Sequence, residues 1–274
     1  LIPAPRGRIL DAGGLMRALK NLSAFVLVLA VLAAGAVAAL RIARTRPSAP
    51  EQIKPNLMAV SAAGAYLYAA QVGSHVIFFD AGADPAGRAI DTALRALASR
   101  RSDASHLFLT HGHGDHTAGA AGLPTARVHL GAEDVPLAEG RAPAENLIAR
   151  IMAKALAAPP VSVTDPLTGV VVVDVGSGET VKAFPIPGHT PGSYAFLFDG
   201  VLFAGDSIML RQGRLDRGPS FFDSDTDQLR RSLISLEQQL TGADLAVVCT
   251  GHGGCTPLGL GRSMFDDFIG RLGG

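Results

Sequence analysis

Cysteine is scarce: the 274 residues hold two, Cys249 and Cys255. That excludes the disulfide framework of a small secreted domain, so the fold must rest on its apolar core. Hydrophobic residues make up 48% of the chain, enough for one large core or two small ones. A surplus of one charge is missing as well, since Lys plus Arg and Asp plus Glu number 24 each. The balance is uneven along the chain, with 7 basic and 1 acidic residues in the first 50 and 17 basic and 23 acidic in residues 51–274. A body carrying a net −6 repels a polyanion over most of its surface, so no nucleic-acid partner is expected and small or neutral substrates fit better. Residues 56–274 show no internal repeat or low-complexity stretch.

Charge is absent altogether from Leu22 to Leu40, a run rich in Leu, Val and Ala. As a helix it would be roughly 28 Å long, against a hydrocarbon core of about 30 Å. The expected organisation is a basic region over 1–21 with Met16 a candidate start, a transmembrane anchor or signal segment over 22–42, a linker over 43–55 and a catalytic domain over 56–274. Ala36, Val37 and Ala38 resemble a signal-peptidase site. Arg41, Arg44 and Arg46 directly after the run oppose translocation and favour an uncleaved single anchor. The expectation is a membrane-anchored or exported protein with its catalytic domain on the extracytoplasmic side. Pro47, Pro50 and Pro55 mark the linker.

Beyond Pro55, short apolar runs at Leu57–Val60, Ala65–Gln71 and Val76–Phe79 read as a β-meander. Ile90, Leu94 and Leu97 recur at helical spacing between Pro85 and Arg100. Further strands are expected at His106–Leu109, Arg127–Leu130, Val170–Val175, Val181–Phe184, Tyr194–Phe198, Val201–Phe203 and Leu245–Val248. Helices are expected at Ala144–Ala157, Asp225–Leu240 and Pro257–Leu272. Single helices inserted among strands favour an α+β arrangement of paired mixed sheets with helices outside.

The chemistry concentrates in Leu107–His116, LFLTHGHGDH, an apolar strand followed by His111, His113, Asp115 and His116. Alternate residues after a strand end point to one side, so His111 and His113 can reach one cation while Asp115 and His116 reach a second. Gly112 and Gly114 would let the backbone curl closely around the ions. Three imidazoles and a carboxylate this close together would repel or waste one another without a cation.

This segment resembles the HxHxDH signature of the metallo-β-lactamase superfamily. The remaining motifs occur in family order: FFDAG at Phe78–Gly82, PGHTPGS around His189, LFAGDS around Asp206 and CTGHGG around His252. The resemblance covers residues 56 to about 255 and implies a four-layer αββα sandwich with a metal site at one sheet edge. It implies that His111, His113 and His189 hold one divalent ion, that Asp115, His116 and His252 hold a second, and that Asp206 bridges them. It also implies that Asp80 is structural, fixing the neighbouring loop through backbone hydrogen bonds. Two such ions lower the pKa of a shared water and polarise the scissile bond, so a hydrolase using a metal-bridging hydroxide is implied, with Asp115 as the catalytic residue that orients the nucleophile or accepts its proton. Zinc is the default cofactor for a His-rich, redox-silent set, with iron and manganese also compatible.

The strings THGHGDH, GHTPGS and LFAGD are most similar to the glyoxalase II branch, so a small thioester or ester is the expected substrate. That branch carries a helical C-terminal domain for glutathione, and 22 residues follow His252 here. Alternatives are a lactonase, another hydrolase of this fold such as a phosphodiesterase, or a mononuclear iron oxidoreductase of the sulfur dioxygenase type. A β-lactam is disfavoured by the bridging Asp206. His75, His106 and His129 match no motif and read as turn or strand residues; Cys255 is a weak candidate for a soft ligand. The insertion Leu210–Asp223 is expected to form the loop beside the site, with Arg211, Arg214 or Arg217 either solvated or binding an anionic group and Phe221 and Phe222 covering an apolar one.

Overall fold

Side chains of strand β3 (Ala65–Val72) are apolar on both faces, and the two faces feed different cores. Leu67 and Ala69 join one cluster; Tyr68, Ala70 and Val72 join another. Strand β4 (His75–Phe79) repeats the pattern, with Val76 and Phe78 on one side and Ile77 and Phe79 on the other. A period of two with both faces buried is what an inner sheet of a layered fold requires. In this computed structural model the described residues are 46–273 apart from 145, together with 17, 20–22, 27 and 28.

Seven strands form the first sheet in chain order: β1 (Glu51–Lys54), β2 (Leu57–Ala62), β3, β4, β5 (Ala104–Phe108), β6 (Arg127–Gly131) and β7 (Asp165–Leu167). Pairing is antiparallel through β4 and parallel from β4 to β7. The second sheet contains β8 (Val171–Gly176), β9 (Glu179–Pro185), β10 (Tyr194–Phe198), β11 (Val201–Phe203) and β14 (Val247–Cys249), in the order β14-β11-β10-β9-β8. Helix α1 (Arg88–Ala96) covers the outer face of the first sheet through Ile90 and Leu94. Helices α3 (Thr226–Gln239) and α4 (Gly261–Gly273) cover the second through Leu229, Leu233, Phe265 and Phe268. Helix α2 (Leu147–Leu156) lies apart from all three core clusters. The layers are therefore helix, sheet, sheet, helix. Between the sheets, Phe79 stacks on Phe203 at a centroid distance of 3.7 Å; full burial of each such ring contributes about 1.5–3 kcal/mol.

Three expectations need correction. Residues 51–54 lie in the stretch read as linker, yet they form edge strand β1, because Ile53 packs against the inter-sheet core. Leu210–Asp223 is not a plain loop: β12 (Met209–Arg211) and β13 (Arg214–Asp216) make a hairpin, followed by a turn of 3-10 helix at Ser220–Phe222. The two cysteines are joined as a Cys249–Cys255 disulfide, so Cys255 offers no thiolate to a metal; the turn that carries Thr250 N–H to the Gly254 carbonyl brings them together. The expected anchor over 22–42 lies outside the described residues except at positions 22, 27 and 28; among the described residues no helix is long and apolar enough to cross a membrane.

Candidate metal centre

Four strand ends converge on one edge of the sandwich. His111 and His113 follow β5, His189 follows β9, Asp206 follows β11 and His252 follows β14. His116 and Asp115 sit on the single helical turn Gly114–Thr117. All seven residues expected as ligands from the sequence meet here, in two groups whose donor atoms lie within 4.8 Å of one another: His111, His113 and His189, and Asp115, His116, Asp206 and His252.

In the first group, Nδ1 of His113 lies 3.1 Å from Nε2 of His111 and 3.2 Å from Nε2 of His189. In the second, Nε2 of His116 is 3.3 Å from Oδ1 of Asp206, and Nε2 of His252 is 3.3 Å from Oδ2 of Asp115 and 3.4 Å from Oδ2 of Asp206. Asp206 also reaches toward the first group, its Oδ2 lying 3.9 Å from His189 Nε2. Its carboxylate thus occupies the seam between the two.

The opposite ring nitrogens are held from outside. His116 Nδ1–H donates to Asp80 Oδ2 at 2.8 Å, His189 Nδ1–H to Asp223 Oδ1 at 3.2 Å, and His252 Nδ1–H to the Gly64 carbonyl at 2.9 Å. Carboxylates and carbonyls accept only, so these partners fix a proton on Nδ1 and aim Nε2 inward, toward the other site groups. Asp80 Oδ1 also accepts from Thr110 N–H at 2.8 Å, and His111 Nδ1 is 3.1 Å from Thr110 Oγ1. The structural part expected for Asp80 is seen; its grip on His116 is an addition.

The set fits divalent cations on its own chemistry. His116 Nε2 and Asp206 Oδ1 are buried 3.3 Å apart without a well-aligned hydrogen bond between them or to any other group, an arrangement that a cation held by both would satisfy. Among themselves the groups compensate with protons. Burial opposes charge on His252, but Asp206 and Asp115 outweigh it and hold its pKa at about 10. Burial likewise opposes charge on His116, and the surrounding carboxylates raise it well above the usual imidazole range. For Asp115, burial would raise the pKa, but His116 and the His252 hydrogen bond bring it to about 2. In the three-histidine group the direction reverses: burial first, then neighbouring imidazoles, pushes His113 down to about 4 and His111 well below its ordinary value.

Several supporting residues carried no signal strong enough to find from the sequence. Buried Asp134 accepts from Gly112 N–H and Gly192 N–H, both at 2.7 Å, and from Thr190 Oγ1 at 2.6 Å, tying the HGHGDH loop to the GHTPG loop. Burial raises its pKa against those three bonds. Gly251 must be glycine, since a Cβ there would overlap Asp206 Oδ1 and His116 Cε1. A Cβ at Gly112 would crowd Asp134 and Leu137, and one at Gly114 would crowd Ala158. Arg211, Arg214 and Arg217 do not line the cavity beside the site, whereas Phe222 does. His106 and His129 are strand residues, as expected, and stack at 5.3 Å away from the site.

Comparison with known proteins agrees with this geometry. Residues 64–252 match the model of the metallo-beta-lactamase superfamily. An uncharacterized protein of Mycobacterium leprae is 30% identical over 215 residues, 74% of this chain and 92% of that one. A hydroxyacylglutathione hydrolase of Cereibacter sphaeroides is 33% identical over 162 residues, 58% of this chain, and the match spans about half (52%) of that protein. In structure, a subclass B3 metallo-beta-lactamase of Bradyrhizobium japonicum superposes with a TM-score of 0.61 at 24% identity, covering 86% of this chain and 97% of its own, which shows the shared fold. The chain belongs to the metallo-beta-lactamase superfamily, and its class is that of a metal-dependent hydrolase.

Proposed function

We propose that the protein hydrolyses a small thioester or ester at a pair of divalent ions, with zinc the expected metal. In this reading His111, His113 and His189 hold one ion, Asp115, His116 and His252 the other, and Asp206 bridges them. The observation that carries it is the Asp206 carboxylate, which lies within 4 Å of imidazoles from both groups. Two bound ions supply a water acidic enough to ionise near neutral pH and a Lewis acid for the carbonyl oxygen.

The protein's own residues do the rest. Asp115 lines the cavity, where its carboxylate can orient the attacking water or accept its proton. Asp80, Asp223 and the Gly64 carbonyl hold three imidazoles in one tautomer and orientation. The likeness to hydroxyacylglutathione hydrolases supports a thioester over other bonds. The test is a panel of thioesters and esters with metal analysis. Two zinc ions per chain and hydrolysis abolished by EDTA and restored by zinc are expected. One iron per chain with oxygen consumption would instead favour the sulfur dioxygenase reading.

Tethering by residues 22–40 is proposed from the charge-free run alone. The full chain should sediment with membranes and a form lacking residues 1–46 should not; sedimentation of the shortened form would reject a single anchor.

A further inference from the structure

Helix α2 has a face that no core uses. Ala149, Met152, Ala153 and Leu156 fall at the i, i+3, i+4, i+7 spacing of a single helical stripe. Such a stripe is ordinarily buried in the core, yet none of the four belongs to the three core clusters. All four instead line a cavity of about 330 Å³ that opens onto His113, Asp115, Asp206 and His252. That volume is at the small end of ligand pockets. The facing wall contains Pro219 and Phe222. The walls are tied together: Asn146 caps α2 by accepting from Ala149 N–H at 2.8 Å, while its Nδ2 donates to the Phe222 carbonyl at 3.2 Å.

Charge is distributed unevenly around this space. No Lys or Arg lines it, and its ionic residues, Asp115, Asp206 and the histidines, all belong to the metal centre. A substrate with a carboxylate on its acyl part would lose hydration there and find no cation away from the ions themselves. A methylene chain would lose only contact with water. We propose that this cavity takes an uncharged acyl chain, so that the bond cleaved belongs to an ester or thioester of an apolar acid. The proposal rests on the hydrolase reading for the word "cleaved" but not for the ligand class.

Two measurements test it. The zinc-loaded full chain is assayed on acyl esters and thioesters from acetyl to decanoyl, with succinyl and glutaryl counterparts. Separately, protein stripped of metal is loaded with Nile red, and 1-alkanols from butanol to decanol are used to displace it. Both kcat/KM and displacement should strengthen by about two- to fourfold per methylene until the cavity fills, the upper figure matching about 0.8 kcal/mol per buried CH2. Met152→Asp, at an exposed helix position on the cavity wall, and Phe222→Ala should each flatten both series, lowering the decanoyl-to-acetyl ratio more than tenfold. A flat chain-length profile, or preference for the succinyl and glutaryl substrates, would overturn the apolar assignment and leave the hydrolase reading standing. Graded alkanol binding with no hydrolysis of any substrate would uphold the ligand class and reject the hydrolase reading.

Discussion

The two halves of the metal centre are built on opposite electrostatic principles. The group of His111, His113 and His189 contains no carboxylate, and burial lowers two of its imidazoles, His111 well below its ordinary value and His113 to about 4. The group of Asp115, His116, Asp206 and His252 carries two carboxylates, and these hold protons on their imidazoles, His252 up to about 10. His111 and His113 therefore present lone pairs ready for a cation at neutral pH. The second half is closed on itself by ion pairs, and a metal must expel a proton to enter. Electroneutral ligands select by geometry, while the acidic half trades one cation for another.

The sharpest way to break this comparison is to remove the residue that belongs to both halves. Asp206→Ala should lower hydrolysis by more than about 100-fold, beyond the range for outer partners, and halve the zinc content; retention of both ions would show that the two halves are independent. Next in size are the outer carboxylates. Asp80→Asn should weaken the second ion by about 10–100-fold and the first by less, because Asp80 also holds Thr110 against His111, whereas Asp223→Asn should weaken only the first. Competition with a chelator of known affinity measures both.

The pH dependence sharpens the contrast further. Between pH 6 and 9 His252 is below its raised pKa and holds its proton in protein stripped of metal, so the affinity of the second ion should rise with pH by about tenfold per unit for each proton expelled. His113 is already above its lowered pKa throughout that range, so its proton adds no slope to the first ion. Equal slopes in titration calorimetry would contradict the assignment. The smallest effect is expected from the disulfide: Cys249 and Cys255 bracket His252, so reduction should loosen the second ion by less than about tenfold, without touching the first.

Sequence pattern carried much of this molecule, and physical reasons explain the remainder. Strands β10 and β11 match their expected bounds because YAFLF and VLF sit between turn residues. The candidate metal ligands are legible because they are dense in the chain at 111–116 and ordered in motifs elsewhere. Edge strand β1 was hidden by its flanking prolines, since one half-buried Ile53 gives no alternation to read. Asp223 and Asp134 were invisible because their partners lie 34 and between 22 and 58 positions away, respectively, distances at which no periodicity links two residues. The disulfide was missed for the opposite reason: two cysteines six apart around a histidine look as much like a ligand loop as a bridge.

Anomalous scattering at the zinc edge from crystals of the zinc-loaded protein tests the account most directly. It should find one ion about 2.0–2.1 Å from nitrogens of His111, His113 and His189, a second at similar distances from His116 and His252 with Asp115, and Asp206 touching both. A single ion, or zinc bound away from the Asp206 carboxylate, would contradict it.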